Sequence, residues 1–286
     1  MNLEDWNFAR KHFVSISGWV VPRTGRGGDE NQPPRAVHVS AFVLSVRGVW
    51  FLVTAGHVIE KLDRMLSADE STLEECHLID QWAQGPYQSN WVPFDYEGAP
   101  RQIVGDETDF DYAVFLLEGN PRELLEKNGV ASIAEEAWRN PAADAPAYFL
   151  LGIPAELSTT EVFHTAEGRM IRSRPSLILQ GILPLAERPP GMEMREEQRA
   201  YGQIDLSAFH DDAGRMSSIE GVSGGPIFAC KRRGDGNWAY WCVGVQSTWH
   251  RGTQTISWCP LEPLANRIDA ILSDCDEEQG LNPRSS

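Results

Sequence analysis

A serine set among glycines is the clearest candidate for catalytic chemistry in this sequence. The run GVSGGP at residues 221–226 follows a polar stretch and precedes an apolar one. Glycine lets the backbone turn so that N–H groups converge on one point, and converging N–H groups stabilise the oxyanion of an acyl-transfer reaction. The lysine and the hydroxyl residue that complete a phosphate-binding loop are absent from this run. The pattern therefore predicts that Ser223 is a nucleophile.

A serine hydroxyl attacks only when a base removes its proton, and His57 is the candidate base. The sequence holds seven histidines, but only His57 directly follows a run typical of a buried strand, in TAGHV at residues 54–58. Its neighbours there are small and leave the imidazole accessible. The other histidines lack such a setting, and no HExxH-type spacing indicates a metal site. We expect neither a metal nor another cofactor.

Two aspartates compete for the role of orienting this histidine. Asp109 and Asp111 precede the apolar run YAVFLL and would point to the same side of an extended chain. A solvated residue at the start of a strand is the ordinary alternative for Asp109. Spacing alone leaves both candidates open.

Composition and charge narrow the class of protein. Of the 286 residues, 42% are hydrophobic and 23% are charged, which is typical of a globular protein with a sizeable core. The net charge of -16 disfavours nucleic acid and anionic lipid surfaces as partners. No apolar run is long enough for a membrane span, and the N-terminus does not resemble a secretory signal. Five cysteines without a CxxC pair fit a reducing compartment, so a cytoplasmic location is expected.

Short β-branched and aromatic runs separated by loops predict a mainly β protein. The runs with strand character are residues 13–21, 37–46, 49–54, 112–117, 147–153, 176–185, 226–230 and 238–247. Helical spacing is found just after residue 57, in an insertion at 121–140 and in the closing run PLANRIDAILSD. Polar, Pro-containing stretches predict loops at 24–35 and 186–203.

The runs TAGHV, DYAVF and GVSGGP, in that order, resemble the His, Asp and Ser motifs of the trypsin-like (chymotrypsin-fold) serine peptidases. The resemblance implies an all-β fold of two six-stranded antiparallel β-barrels with a C-terminal helix. The first barrel would span residues 13–140 and the second residues 141–272, followed by a flexible tail at 273–286.

The same resemblance assigns roles in the hydrolysis of a peptide bond. Ser223 would attack the scissile carbonyl and form an acyl-enzyme, with His57 as general base and then as general acid. Asp111 rather than Asp109 would orient the imidazole, because DYAV matches the family's pattern at this motif. The N–H groups of Gly221 and Ser223 would form the oxyanion hole. The implied activity is that of a serine endopeptidase.

Candidate substrate-binding residues follow from the family's motif positions. The run VGVQSTW resembles the family's strand that pairs with an extended protein or peptide substrate, so Ser247, Thr248 and Trp249 are expected to contact it. Ser217 falls at the base of the primary specificity pocket, and Glu220 falls near its mouth. Because no carboxylate stands at the pocket base, a preference for Arg or Lys is not expected.

Val222 departs from the family's secreted members, which carry an aspartate there that pairs with a newly cut N-terminus. A valine makes no ion pair, so we expect an intracellular, bacterial-type peptidase that is not activated by cleavage near its N-terminus. A regulatory partner protein is hypothesised in place of a regulatory domain. Two alternatives stay open: a catalytically silent trypsin-fold module that binds peptides or acts as a scaffold, and a serine esterase.

Overall fold

The structure is a computed structural model, and it describes residues 6–22, 34–68, 71–80, 91–104, 110–139, 141, 145–165, 168–190, 198–208, 210–211, 214–234 and 238–278. Most of the predicted loop at 24–35, the candidate Asp109 and the end of the predicted tail lie outside the described residues.

An antiparallel sheet forms the N-terminal unit, after the short helix α1 (Asn7–Arg10). Its strands are β1 (Phe13–Pro22), β2 (Arg35–Val46), β3 (Val49–Thr54), β4 (Ser71–Ile79), β5 (Val92–Pro93), β6 (Arg101–Val104) and β7 (Tyr112–Leu117). Their order across the sheet is β5-β4-β1-β2-β3-β7-β6. The β-branched runs that the sequence predicts as its first three strands form the centre of this sheet.

This N-terminal sheet differs in detail from the six-stranded barrel that the resemblance implied. It has seven strands, and within the described ranges its end strands β5 and β6 are not paired with each other. Helix α2 (Gly56–Ala68) packs against β4, β6 and β7. Ile59 and Leu62 on α2 are buried, as the predicted helical spacing requires. Helix α2 therefore contacts strands near both ends of the sheet.

The C-terminal unit contains a closed six-stranded barrel, as expected. The strands that follow the N-terminal sheet are β8 (Ala147–Gly152), β9 (Thr159–Thr165), β10 (Gly168–Arg174), β11 (Ile178–Leu185), β12 (Ala200–Gln203), β13 (His210–Asp211), β14 (Gly214–Arg215), β15 (Pro226–Arg232), β16 (Trp238–His250) and β17 (Thr255–Pro260). Their order around the barrel is β11-β12-β17-β16-β15-β8, while β9 pairs with β10 and β13 with β14. The two runs predicted as neighbouring strands pair as β15 and β16.

Strand β12 corrects the predicted loop at 186–203. Residues 201–203 pair with β11 on one side, and residues 200–203 pair with β17 on the other. The run AYGQ has little strand propensity of its own, so its neighbours in the barrel decide its conformation. The barrel closes only because β12 fills this position.

Helices α3 (Gly119–Lys127) and α4 (Leu261–Glu278) lie where the sequence predicts helical structure. The predicted insertion is helical in its first part and ends in a single 3₁₀ turn, Glu135–Ala137. Helix α4 extends into the predicted flexible tail, and its Asp276 forms an ion pair with Arg47 at 2.8 Å. None of the described helices is long and apolar enough to cross a bilayer.

The two units share one apolar core. Phe13 and Phe42 from the sheet belong to the same buried cluster as Phe149 and Phe228 from the barrel. Trp6, which precedes α1, packs edge-on against Phe149 with ring centres 4.6 Å apart. Large aromatic side chains bury much apolar surface, so this cluster stabilises the arrangement in which loops of the two units meet.

Candidate active site

Adjacent strand ends bring His57 and Asp111 together. His57 is the second residue of α2, just after β3, and Asp111 comes directly before β7. Strands β3 and β7 pair with Thr54 opposite Ala113. The Nδ1 atom of His57 lies 2.6 Å from Asp111 Oδ2, and the backbone N–H of His57 donates to Oδ1 at 2.8 Å. One carboxylate therefore holds both the ring and the backbone of His57.

The carboxyl group of Asp111 is buried yet strongly acidic. Burial raises its pKa, but the hydrogen bond and charge of the His57 ring, the Ser247 hydroxyl and the His57 N–H together outweigh burial. The net result is a pKa lowered from 3.8 to about 2. Asp111 is therefore a carboxylate at neutral pH, and its negative charge stabilises an imidazolium that forms beside it.

Glycines fix the turn that carries Ser223. The N–H of Gly224 donates to Gln246 O, and the N–H of Gln246 donates to Gly225 O, each at 2.9 Å. Gly224 has φ +91°, and a Cβ at this position would lie 2.0 Å from Thr54 Oγ1. Only glycine therefore lets the turn approach the end of β3 so closely.

Ser247 connects Ser223 with the carboxylate. The Ser223 hydroxyl donates to the carbonyl oxygen of Ser247 at 3.1 Å, and the Ser247 hydroxyl donates to Asp111 Oδ2. Within the described part of the chain, no hydrogen bond joins Ser223 to His57. The structure thus brings the predicted nucleophile and the predicted orienting carboxylate to the same residue.

Two backbone N–H groups beside the Ser223 side chain donate to no acceptor among the described residues. They are the N–H groups of Gly221 and Ser223, whereas that of Val222 donates to Ile219 O at 3.2 Å. Gly221 has φ +98°, and a Cβ there would lie 2.8 Å from Ala155 N, so the position requires glycine. Neighbouring unpaired N–H donors are what an oxyanion needs for stabilisation.

The three neighbours predicted to bind substrate have different surroundings. Ser247 is buried at a bulge where the pairing of β16 with β17 shifts. The Thr248 hydroxyl lies 2.7 Å from Ser257 Oγ. The half-buried Trp249 has an indole N–H without a described partner. The contact of the Ser247 side chain with Asp111 was not predicted, because the sequence gives strand alternation but no sign of the bulge.

Ser217 contacts a carboxylate from a distant part of the chain. Its N–H lies 3.0 Å from Glu156 Oε2, and the N–H of Ser218 lies 2.8 Å from the same atom. Glu156 belongs to the 3₁₀ turn Ala155–Leu157. Glu220 is exposed, and its N–H donates to Ser218 Oγ at 3.1 Å. The sequence holds no signal for the Glu156 contact, because 61 residues separate it from Ser217.

Arg199 is a further residue that sequence reasoning missed. Its Nη1 donates to Ser247 Oγ at 2.8 Å and to Ser257 Oγ at 3.4 Å. A guanidinium only donates hydrogen bonds, so the Ser247 oxygen accepts this one and its own proton remains for Asp111. Arg199 comes directly before β12, the strand that the sequence also failed to predict.

Two of the other histidines, His12 and His38, have structural surroundings. The ring of His12 bonds to Ala131 O at 2.6 Å, and burial lowers its pKa to about 4. The ring of His38 bonds to Ser17 at 2.9 Å and to Ser173 at 2.7 Å, but no carboxylate among the described residues bonds to it. The described residues also hold no cluster of His, Cys, Asp or Glu that could bind a metal.

Comparison with known proteins gives a likeness in fold. No protein-family model matches the chain, and no curated protein matches it. One similar solved structure is a Glu endopeptidase, 11% identical over 94% of this chain and 96% of that one, with a TM-score of 0.45. Another is the thermostable serine protease AL20 from an extremophilic microorganism, 12% identical over 88% and 91%, with a TM-score of 0.44. A third is protease Anisep from Arthrobacter nicotinovorans, 15% identical over 87% and 90%, with a TM-score of 0.37.

All three neighbours are named as peptidases or proteases. The likeness concerns the fold, and the function proposed below rests on the side chains and backbone groups already described.

Proposed function

We propose that the protein is a serine endopeptidase with Ser223 as nucleophile, His57 as general base and Asp111 as the group that orients the base. This proposal depends chiefly on the two hydrogen bonds from His57 to Asp111, at 2.6 Å from the ring and 2.8 Å from the backbone. A carboxylate on Nδ1 favours the tautomer with a proton there, so Nε2 keeps the lone pair that accepts a proton from serine.

The reaction begins when the Ser223 hydroxyl turns from the Ser247 carbonyl to Nε2 of His57. The Ser223 oxygen attacks the peptide carbonyl carbon while its proton passes to Nε2, and the carbonyl oxygen becomes an oxyanion. His57 then gives this proton to the leaving amine, and the C–N bond breaks to leave an acyl-enzyme. A water molecule, deprotonated by His57, hydrolyses the ester, and the proton returns to Ser223.

The N–H groups of Gly221 and Ser223 would receive the oxyanion. Both lack a described acceptor in the structure, so no existing hydrogen bond has to break when the charge forms. Removing one such donor costs on the order of 10²–10³ in kcat in comparable sites. The ionised Asp111 would stabilise the imidazolium at the same stage, because its charge lies against the ring.

An unpaired strand edge favours a peptide substrate over a simple ester. Strand β15 pairs with β16 only as far as Val245, and Gln246 N donates to Gly225 O. Beyond Gln246, this side of β16 has no strand partner among the described residues. Pairing of an extended peptide with an exposed strand edge is a common mode of peptide recognition. A peptide paired with this edge would have its scissile carbonyl beside Ser223. Thr248 and Trp249 would line that peptide.

The test is a peptide library derived from a proteome, incubated with the wild-type protein and with Ser223→Ala. New N-termini that form with the wild type alone, found by mass spectrometry, are the expected result. The absence of new termini would contradict peptidase activity. Turnover of a p-nitrophenyl ester without peptide cleavage would establish the esterase alternative instead.

A catalytically silent peptide-binding module is the second candidate. The Ser223 hydroxyl bonds to Ser247 rather than to His57, which is the observation that favours it. Such a module would bind library peptides equally well with Ser223 or alanine at this position and would cleave none of them.

The cysteines support a reducing compartment such as the cytoplasm as the place of action. None of the five cysteines, all of which lie within the described residues, forms a disulfide. Burial raises the pKa of Cys76 to about 12 and that of Cys230 to about 11, so both are poor nucleophiles. Cell fractionation with a tagged copy would test the location, and recovery outside the cytoplasmic fraction would contradict it.

A further inference from the structure

The loop that precedes Ser223 has little support of its own. Within residues 217–222, its internal hydrogen bonds are those from Glu220 N to Ser218 Oγ at 3.1 Å and from Val222 N to Ile219 O at 3.2 Å. Gly221 adds conformational freedom, because glycine adopts many backbone conformations in the absence of restraint. The shape of this loop must therefore be stabilised by another part of the molecule.

The Glu156 carboxylate supplies part of that support from the 3₁₀ turn after β8. Its Oε2 accepts the N–H of Ser217 at 3.0 Å and that of Ser218 at 2.8 Å, and its Oε1 accepts the Ser217 hydroxyl at 3.2 Å. Hydrogen bonds to an ionised acceptor are stronger than those between neutral groups. One side chain thus holds two consecutive backbone N–H groups at the start of the loop.

The residue before Glu156 holds the other end of the loop. The N–H of Ala155 donates to the carbonyl oxygen of Glu220 at 2.7 Å. A peptide group is planar and trans, so its C=O and the following N–H point in opposite directions. Holding the Glu220 carbonyl toward Ala155 therefore directs the N–H of Gly221 away from it. This N–H is one of the two assigned to the oxyanion.

Packing and a serine bridge hold the same two segments together. Val222 is fully buried, and a Cβ on Gly152 would lie 2.6 Å from the Val222 side chain. The Ser40 hydroxyl accepts the N–H of Ile153 at 3.0 Å and donates to Gly221 O at 3.1 Å. Residues 152–156 therefore lie alongside the whole loop, with residue 156 at its start and residue 152 at Val222.

We propose that Glu156 is a positioning residue that, together with the Ala155 N–H, holds the 217–222 loop in the conformation that directs the Gly221 N–H at the substrate oxyanion. This inference rests on the proposed peptidase function. Val222 has no charge and cannot form an ion pair with a new N-terminus. The hydrogen bonds from the loop to Glu156, which lies in the turn after β8, would hold the loop in its place.

The experiment measures the rate at which an alkyl fluorophosphonate labels Ser223, because the phosphoryl oxygen of this probe requires the oxyanion donors. Wild type is compared with Glu156→Ala and with the isosteric Glu156→Gln, whose amide turns an N–H toward the loop. Glu161→Ala is the matched control, since the Glu161 side chain is exposed on β9 and has no described hydrogen bond. Peptide kcat and KM and the thermal midpoint are measured for each protein.

Both Glu156 variants should label at least about 10-fold more slowly and lose a similar factor in kcat, with KM changed less than about 3-fold, since complete loss of an oxyanion donor costs about 10²–10³. Glu161→Ala should behave as wild type. A lower thermal midpoint with unchanged labelling and kcat would show a merely structural role and overturn the proposal. If the Glu156 variants label normally but lose cleavage after Lys or Arg and keep cleavage at other residues, Glu156 determines specificity, and the proposed positioning role is likewise overturned.

The wild-type reaction separates the two levels of failure. If wild type labels at Ser223 and both Glu156 variants label equally fast, the positioning role is wrong and the proposed peptidase remains. If wild type itself does not label, the proposed function fails, and the positioning role fails with it.

Discussion

Replacing Asp111 with asparagine should abolish most activity while keeping the shape of the side chain. Asp111 accepts hydrogen bonds on both oxygens, from the His57 ring and the Ser247 hydroxyl on Oδ2 and from the His57 N–H on Oδ1. Asparagine offers one acceptor oxygen, and with that oxygen on the His57 N–H its amide nitrogen faces the ring. The ring must then carry its proton on Nε2, where it no longer accepts one from Ser223. A loss of about 10⁴ in kcat is expected, as for a triad carboxylate changed to an amide.

The same substitution should lower stability in a pH-dependent way. A pKa lowered from 3.8 to about 2 corresponds to about 2 kcal/mol of folding free energy at neutral pH. Because the folded-state pKa of Asp111 is the lower one, this stabilisation is complete well above pH 4 and is lost as pH falls toward about 2. Urea unfolding should therefore show a difference of about 2 kcal/mol between wild type and Asp111→Asn at pH 7, shrinking toward zero near pH 2.

Asp109→Asn is the matched control for both measurements, because it changes the rival aspartate by the same chemistry. It should alter kcat little and should leave the pH dependence of unfolding as in wild type. Near-normal turnover of Asp111→Asn would refute the orienting role. A large loss for Asp109→Asn with a small one for Asp111→Asn would transfer that role to Asp109.

Four further substitutions test other parts of the site. Ser223→Ala and His57→Ala should each reduce kcat by about 10⁴–10⁶, and the double variant should be scarcely worse, since the two residues act as a unit; additive losses in steady-state assays would contradict this. Ser247→Ala removes a hydroxyl donor from Asp111 and should raise the pKa of that carboxyl, which an NMR titration would detect; an unchanged titration would contradict the contact. Val222→Asp places a carboxylate at a fully buried position and should lower the free energy of unfolding by at least about 1–3 kcal/mol, and equal stability in urea would contradict the packing.

The sequence predicts the pieces of the site that lie next to clear local signals. His57 follows the apolar run of β3, and Asp111 precedes that of β7, so the ends of both strands can be found from composition alone. The glycines around Ser223 mark a turn with unusual backbone angles. The resemblance to a known family is what predicts that the three residues act together in one catalytic site.

The sequence does not predict the contacts that depend on how distant segments meet. Glu156 lies in a short run without periodicity, and its partner Ser217 is reached only when the barrel has closed. Arg199 precedes β12, whose conformation depends on its neighbours, so neither the strand nor the arginine's contact with Ser247 leaves a local signal. The bulge at Ser247 likewise arises from the pairing of β16 with β17.

The most direct test of the account is covalent labelling of Ser223. Wild type, Ser223→Ala and His57→Ala are treated at neutral pH with an alkyl fluorophosphonate, and intact mass and peptide mapping identify the modified residue. A single adduct on Ser223 of the wild type, absent from Ser223→Ala and strongly reduced in His57→Ala, is the expected result. An unmodified wild type, or an adduct that forms equally fast without His57, would contradict an activated serine at this site.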